Sequence, residues 1–385
     1  MKPPGIEIPT QGQSLTRRGQ KEERMNVRGV NLGNWLVLEK WMGTSPLSSA
    51  RSEDDRGLID EMDPEELAAA LERHRATYIT ERDFAWMEAA GINLVRIPVP
   101  YHLFGSPHHS ACVEHLDRAF AWAEHHHMGV LVDLHTVPLS QNGFDNGGYL
   151  GLCAWARDPK RIDFTVNLLE RIARRYAGHP ALWGIEALNE PATRAVLWSN
   201  LVRLRTRYPE RVVHSRAVPR RTLLTFYDRV YQRLRPIVGP DVALVFHDQF
   251  ELRRWQHLLP ASRYINVVID THMYLNFNEH GFRHFDTKEY LAKVADFSAQ
   301  IEAAAKHHRI LVGEWSLGNH SPLKKQLDAK GKRALYRTLA DAQLDAWDKG
   351  IGGCFWSYRV DDPMRPEWDL RICIREGWLD LGYGR

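Results

Sequence analysis

Eight short apolar segments rich in β-branched residues recur along the chain, and longer amphipathic segments separate them. The apolar segments, which we predict to be strands, cover residues 27–31, 92–99, 129–134, 183–188, 242–246, 267–271, 310–313 and 352–356. The predicted helices between them cover residues 64–75, 82–90, 113–127, 161–176, 222–237, 290–308 and 334–349. Strands that alternate with helices form a parallel sheet, because parallel neighbours need a crossover connection. Eight such units favour an α/β fold of the closed (β/α)8 TIM barrel type over an open doubly wound sheet.

The chain is long enough to form such a barrel as one domain with a large core. It has 385 residues, of which 44% are hydrophobic, and α/β barrels are among the few folds that reach this size around a single core. Residues 1–25 are rich in Pro, Gln, Arg and Glu and lack the apolar region of a signal peptide. We therefore assign residues 1–25 to an N-terminal extension and residues 26–385 to the barrel domain, and we expect a cytoplasmic protein.

Charge and cysteine content argue against several classes of protein. The 51 Lys and Arg residues nearly balance 48 Asp and Glu residues, for a net charge of +3, so the chain as a whole lacks the positive field of a dedicated nucleic-acid binder. The four cysteines, Cys112, Cys153, Cys354 and Cys373, are far apart without CxxC spacing, which predicts buried free thiols rather than a zinc site. No run of about 18 apolar residues occurs that would span a membrane. We expect no cofactor, no metal and no nucleic-acid or membrane partner, and the oligomeric state stays open.

The longest departures from a minimal barrel follow the first, third and fourth predicted strands, at residues 39–63, 136–159 and 192–221. Loops after strands lie on the face where barrel enzymes keep their active sites. The last of these segments contains one acidic residue, Glu210, and eight arginines, at positions 194, 203, 205, 207, 211, 216, 220 and 221. We interpret it as a solvated basic segment with acidic neighbours in space; the alternative is a wall of the binding site or a contact for an acidic partner.

Two glutamates directly follow predicted strands. Glu190 comes after the fourth strand and is followed by Pro191, and Glu314 comes after the seventh strand. Strand ends of this kind meet at the mouth of a barrel. Hydrolysis of a glycosidic bond needs one carboxyl group to protonate the leaving oxygen and another to attack the sugar or activate water. Either glutamate alone is typical of a helix cap or a surface charge, but their joint placement predicts a catalytic pair.

Eight motifs in the same order give the chain a specific resemblance. They are RGVNLGNW with VLE at 28–39, NLVRIP at 93–98, DLH at 133–135, SQNGFDN at 140–146, LNEP at 188–191, HMY at 272–274, GEWS at 313–316 and FWS at 355–357. In these motifs the chain resembles glycoside hydrolase family 5, within the clan of retaining barrel glycosidases, and is especially similar to the exo-β-1,3-glucanase branch. The motifs span most of the predicted barrel domain.

The resemblance implies roles for individual residues. Glu190 would be the acid/base and Glu314 the nucleophile of a retaining, double-displacement β-glycosidase. The sugar-binding residues that it implies at the cleavage point are Arg96, His135, Asn189, His272, Tyr274 and Trp356. On chemical grounds, we expect a guanidinium beside Glu314 to depress the pKa of that carboxyl. We expect the charge of Glu314 to raise the pKa of Glu190, which must begin the reaction protonated.

The same resemblance implies an exo mode of action. In the exo-β-1,3-glucanase branch, the residues that match Glu39 and Asp145 bind the non-reducing terminal glucose, so the substrate would be a terminal β-D-glucosyl residue of a β-1,3-linked or related oligosaccharide. Phe144 and Asn146 join the predicted substrate-binding residues, with Phe144 flanking the aglycone. The alternatives are that Asp145 is a turn residue and that Phe144 packs the loop.

Two other functions remain open. One is an endo-acting β-glucanase, cellulase or mannanase of the same family, against which Glu39 and Asp145 count. The other is a carbohydrate-binding barrel whose catalysis has lapsed, against which the presence of both Glu190 and Glu314 counts. The chain also departs from the exo-β-1,3-glucanase branch, which commonly has Gly and Pro at the positions of Asn34 and Lys40, and the linkage preference therefore stays open.

Overall fold

The computed structural model describes residues 26–275, 287–319 and 326–382. Its strands form one closed barrel in which the described neighbours pair in parallel and β8 returns to pair with β1. The strands are β1 (Val27–Asn31), β2 (Leu94–Val99), β3 (Gly129–Leu134), β4 (Leu182–Glu186), β5 (Ala243–His247), β6 (Val267–His272), β7 (Arg309–Trp315) and β8 (Gly352–Phe355). The predicted barrel is therefore confirmed. The predicted N-terminal extension, residues 1–25, lies outside the described residues.

Helices cover the outside of the barrel. They are α1 (Asp55–Glu61), α2 (Pro64–Tyr78), α3 (Glu81–Ala89), α4 (Val113–His125), α5 (Pro159–Tyr176), α6 (Arg194–Leu204), α7 (Pro209–Val213), α8 (Arg220–Val238), α9 (Thr287–Ala305), α10 (Ala329–Trp347) and α11 (Leu370–Arg375). The seven predicted helices are all present, with ends shifted by up to five residues. The start of α2 follows its local sequence, because Asp63 accepts from two free backbone N–H groups and Pro64 fits the first turn. Within the described ranges, no helix is long and apolar enough to cross a membrane.

The core has an outer layer between strands and helices and an inner layer inside the barrel. Because side chains alternate along a strand, Val95 and Ile97 of β2 join the outer layer, whereas Leu94 packs inside the barrel. The lower part of the barrel interior is apolar and is formed by Val27, Leu94, Leu131, Ala243, Val245, Val268, Leu311 and Cys354. All four cysteines are buried and free, as the sequence predicts. Two residues further along the strands, towards the mouth of the barrel, the inward-facing side chains become polar.

The long loops after β1, β3 and β4 are partly helical, which the sequence patterns did not reveal. The arginine-rich segment 192–221 contains α6 and α7. Arg207 contacts Glu53 at 2.7 Å, and Arg211 and Arg220 form ion pairs with Asp54 and Glu251. The predicted acidic neighbours are therefore present for these three arginines. One face of α6 also forms a wall of the main pocket, in agreement with the wall alternative, and a contact for an acidic partner stays a prediction.

Candidate active site

The polar layer of the barrel interior surrounds one arginine. Arg96 is fully buried on β2, and its guanidinium contacts groups from four other strands or strand ends. Its nitrogens lie 2.8–3.1 Å from oxygens of Asn31, Asp133, Glu186, Asn189 and Glu314. Burial lowers the pKa of Arg96, but the charges of Asp133, Glu186 and Glu314 raise it well above its usual value. The group is therefore a permanent cation that fixes these acceptors.

The carboxylates around Arg96 outnumber the single cation. Burial raises the pKa of Glu186 well above its usual value; Arg96 opposes this rise, and the charges of Asp133 and Asp270 add to it. Arg96 donates to both oxygens of Glu186, at 2.8 and 3.1 Å. The sequence places Glu186 on the fourth strand, but only the structure reveals that it faces Arg96.

The two glutamates predicted to be catalytic lie directly above this layer. Glu314 is on β7 beside His272 of β6, and Glu190 follows β4 in a left-handed backbone conformation, with φ of 44°. The Nδ1 atom of His272 lies 2.7 Å from Oε1 of Glu190 and 3.4 Å from Oε2 of Glu314. These two oxygens can therefore be no more than 6.1 Å apart, which is the sum of the two distances. Inverting glycosidases separate their carboxyl groups by about 6.5–9.5 Å, so this spacing favours retention.

His272 lies between the two glutamates, where it lowers the pKa of Glu190 while the neighbouring carboxylates raise its own. Burial raises the pKa of Glu190, but the hydrogen bond and charge of His272 outweigh it and lower the pKa to about 2. The expectation of a raised pKa for Glu190 is therefore wrong for the free enzyme, because the sequence did not reveal a cation between the carboxylates.

Arg96 lowers the pKa of Glu314 as expected, but burial outweighs this effect and the pKa is raised. Burial raises the pKa of Glu314, and the charges of His272 and Arg96 only partly offset this rise. Arg96 still donates to Oε1 of Glu314 at 2.9 Å, and the Tyr274 hydroxyl donates to Oε2 at 2.8 Å. Burial raises the pKa of Tyr274 well above its usual value, and the charge of Glu314 adds to this effect, so the phenol keeps the proton that it donates.

A pocket of about 840 Å³ opens above the glutamates. The predicted residues on its wall are Glu39, Phe144, Asp145, Asn146, Glu190, His272, Tyr274, Glu314 and Trp356. Arg96, His135 and Asn189 are fully buried close beneath them; His135 stacks against Trp356 with ring centres 5.7 Å apart. All twelve predicted site residues therefore gather at one end of the barrel, and their contacts with a sugar remain predictions.

Two carboxylates face each other at one side of the pocket. Glu39 accepts a hydrogen bond from the Trp41 indole at 2.7 Å. Burial and the charge of Asp145 raise the pKa of Glu39 well above its usual value, and burial also raises the pKa of Asp145. Asp145 begins a short 3-10 turn, so the turn interpretation and the pocket interpretation both hold for it. Asn146 donates to Oε2 of Glu190 at 3.2 Å.

Several pocket residues were not predicted from sequence. The wall also includes Trp41, Asp248, Phe250, Met364, Arg365 and Trp368, together with Val196, Ser199, Asn200 and Arg203 of α6. Trp41 could have been noticed, because it lies two residues after Glu39. The α6 residues could not have been noticed, because their 3- and 4-residue spacing is typical of any helix face. Only the position of α6 over the barrel shows that this face lines the pocket.

The fold is a parallel barrel, and two buried glutamates contact one histidine below a pocket lined by aromatic and acidic side chains. These features together are those of a glycoside hydrolase. Residues 66–362 match the family model described as Cellulase (glycosyl hydrolase family 5). This match covers more than half of the chain, and the chain belongs to glycosyl hydrolase family 5.

Relatives and solved structures agree with this assignment. The chain is 32% identical to the probable glucan 1,3-beta-glucosidase A of Emericella nidulans, over 91% of this chain and 89% of the relative. It is 27% identical to glucan 1,3-beta-glucosidase 1 of Schizosaccharomyces pombe, over 91% and 87% of the two chains. The crystal structure of rutinosidase from Aspergillus niger superposes with a TM-score of 0.73 at 22% identity, covering 92% of this chain and 98% of that one, which supports the fold.

We predict that removing the Arg96 cation destabilises the whole barrel. Arg96→Met should lower the free energy of unfolding by about 3–5 kcal/mol, because it leaves buried carboxylates without their cation. Arg28→Met is the matched control: Arg28 pairs with Asp348 at 2.6 Å, but both side chains are partly exposed, so its loss should cost at most about 1 kcal/mol. Urea denaturation of both variants measures the difference, and equal losses would contradict the prediction.

Proposed function

We propose that this enzyme is a retaining, exo-acting β-glucosidase that releases terminal glucose from β-1,3-linked glucans or gluco-oligosaccharides. The observation that carries the proposal is the placement of Glu39 and Asp145 in the same pocket as Glu190 and Glu314. The names of the relatives, glucan 1,3-beta-glucosidases from several fungi, support the choice of linkage.

In the first step, Glu314 attacks the anomeric carbon of the terminal sugar. Its two oxygens are oriented by Arg96 at 2.9 Å and by Tyr274 at 2.8 Å, so the attacking group is held in place before substrate binds. As the glycosyl ester forms, Glu314 loses its charge, and the hydrogen bond from Tyr274 weakens. The bond that breaks joins the anomeric carbon to the leaving oxygen.

The leaving oxygen takes its proton from the His272–Glu190 pair. His272 Nδ1 and Glu190 Oε1 lie 2.7 Å apart, a distance at which one proton is shared by a strong, charge-assisted hydrogen bond. Passing that proton to the leaving oxygen leaves Glu190 as a carboxylate beside a neutral histidine. In the second step the same carboxylate removes a proton from water, and the attack of that water on the ester regenerates Glu314.

The exo mode follows from what Glu39 and Asp145 offer to a sugar. Each carboxylate can accept hydrogen bonds from two hydroxyl groups, and a non-reducing terminal glucose presents such vicinal pairs. Trp41 holds Glu39 through its indole N–H, and Trp356 and Trp368 supply aromatic surface on the same wall. Phe144, Phe250 and α6 line the same pocket and are available to the aglycone.

We predict that glucose is released with retention of configuration. The upper limit of 6.1 Å between Glu190 Oε1 and Glu314 Oε2 supports the close carboxyl spacing of retaining glycosidases, about 5–5.5 Å, over the spacing of about 6.5–9.5 Å in inverting ones. Proton NMR during hydrolysis of an aryl β-glucoside should therefore detect β-glucose first, with α-glucose appearing only by mutarotation. Initial α-glucose would overturn the double-displacement mechanism.

We expect the two glutamates to respond differently to replacement. Glu314→Ala should lose nearly all hydrolysis and recover part of it with azide, which yields an α-glucosyl azide because it attacks from the vacated side. Glu190→Ala should be impaired much less on dinitrophenyl β-glucoside than on substrates with poor leaving groups, which need protonation. Glu367→Ala serves as control: Glu367 is a pocket carboxylate bound to the Tyr336 hydroxyl, and azide should not restore its activity. If Glu190→Ala lowered the hydrolysis of both substrates equally, the assignment of Glu190 as acid/base would be contradicted.

The exo mode predicts a lower kcat/KM when either carboxylate that would hold the terminal sugar is replaced. Glu39→Ala and Asp145→Ala should each lower kcat/KM for aryl β-glucoside roughly 10- to 100-fold, because losing the carboxyl group leaves sugar hydroxyls without a hydrogen-bond partner, at a cost of about 1–3 kcal/mol. Glu53→Ala, on the same loop as Glu39 but paired with Arg207 at the surface, should have a small effect. The wild-type enzyme should release only single glucose units from laminari-oligosaccharides. Internal fragments released from a glucan blocked at its non-reducing end would instead indicate an open, endo-acting cleft.

A further inference from the structure

Two aspartate–histidine pairs occupy equivalent places at the ends of β3 and β6. Asp133 lies two residues before His135, and Asp270 lies two residues before His272; with this spacing, both members of a pair face the barrel interior. The carboxylate of Asp133 lies 2.5 Å from His135 Nδ1, and that of Asp270 lies 3.2 Å from His272 Nε2. Only the second of these histidines touches the two catalytic glutamates.

His272 is surrounded by three carboxylates. Its Nδ1 faces Glu190 and Glu314 at 2.7 and 3.4 Å, and its Nε2 faces Asp270 at 3.2 Å. A neutral imidazole can donate from only one of its nitrogens, whereas an imidazolium donates from both. The side chain is buried, and the carboxylates provide an acceptor for each of the two nitrogens. The surroundings therefore match the doubly protonated ring.

Asp270 is fixed in place by the strand that carries the nucleophile. Its Oδ1 accepts from the backbone N–H of Gly313 at 2.6 Å, directly before Glu314. A Cβ atom at position 313 would lie 2.2–2.5 Å from atoms of this carboxylate, so the close approach requires glycine. Asp270 does not line the pocket, and His272 is the side chain through which it contacts Glu190 and Glu314.

The other charged or titratable groups near His272 come from four neighbouring strands or strand ends. The His247 ring lies 4.5 Å away on β5, and Arg96 of β2 lies 4.0 Å from the Asp270 carboxylate. Together with the carboxylates that contact the ring, these groups are Arg96, Glu186, Glu190, His247, Asp248, Asp270, Tyr274 and Glu314. Arg96 is shared with Asp133, Glu186 and Glu314, so Asp270 has the histidine as its nearest cation.

We propose that Asp270 is a positioning residue that keeps His272 doubly protonated between Glu190 and Glu314, so that the His272–Glu190 pair carries the proton of the leaving group at the pH of catalysis. This inference rests on the proposed roles of Glu190 and Glu314. Burial lowers the pKa of His272, but the charges of Glu314 and Asp270 raise it well above its usual value, in agreement with the geometry.

The test replaces the charge of Asp270 with a neutral group of the same shape. Removing a negative charge beside a cation lowers the pKa of that cation, so Asp270→Asn should move the alkaline limb of the kcat/KM profile to lower pH by about 1–3 units. A purely structural role would lower kcat/KM at every pH and leave the limb in place. Thermal unfolding of the variant verifies that it is folded.

A second measurement observes the proton itself in the enzyme without substrate. The ring nitrogen signals of His272, assigned by their loss in His272→Gln, should be those of an imidazolium at pH 7 in the wild type and should titrate at lower pH in Asp270→Asn. A neutral ring in the wild type would overturn the proposal even if the variant failed to fold. Because this readout uses no substrate, it stands apart from the azide and leaving-group tests of Glu190 and Glu314.

Asp133→Asn is the matched control. It removes the same charge from a buried aspartate that contacts Arg96 at 3.1 Å and a histidine at 2.5 Å, but that histidine does not touch Glu190. The His272 signals and the alkaline limb should therefore move much less than in Asp270→Asn. Equal shifts in the two variants would overturn the specific pairing and assign the effect to the total charge of the cluster.

Discussion

The buried guanidinium of Arg96 is the interaction on which the rest of this site depends. A buried cation is stable only if acceptors surround it, and here β1, β3, β4 and β7 or the residues that follow them each supply at least one. The barrel interior is therefore divided into an apolar lower layer, a polar layer at the level of Arg96 and the catalytic groups above. The contacts of Arg96 that join the strands of the closed sheet consequently also hold Glu314 in position.

His272 gives the two glutamates their different chemistry. Both are buried carboxylates, and their mutual repulsion alone would leave a proton on one of them. The histidine between them lowers the pKa of Glu190 to about 2, and in the proposed mechanism it holds that proton before substrate binds. On the other side of the His272 ring, Asp270 contacts Nε2 and accepts a hydrogen bond from the Gly313 N–H, which connects this arrangement to β7. In the proposed mechanism, the acid is thus a hydrogen-bonded pair of residues rather than an isolated carboxyl group.

The loops determine what the pocket accepts. The loop after β1 carries Glu39 and Trp41, and the loop after β3 carries Phe144, Asp145 and Asn146. The arginine-rich segment after β4 is held by ion pairs from Arg207 and Arg211 to the β1 loop and places one face of α6 over the pocket. Because these loops pair with one another, the shape of the pocket depends on contacts between segments about 150 residues apart. The barrel strands position the glutamates, and the loops shape the pocket that is available to a substrate.

Sequence alone determined the eight strands, the barrel and the set of residues at its mouth, because periodicity and strand-end position are local properties. The positions of Glu190, Glu314, Arg96, Glu39 and Asp145 followed from motifs in the order of the chain. Sequence could not determine which groups share a proton, since the pKa values of Glu190 and Glu314 depend on His272, which is 82 residues from Glu190 in the chain. Nor could it place Glu186, Asp270 or α6, whose roles arise only when the closed sheet brings their strands and loops together. Electrostatic interactions act through space, and only the tertiary structure sets those distances.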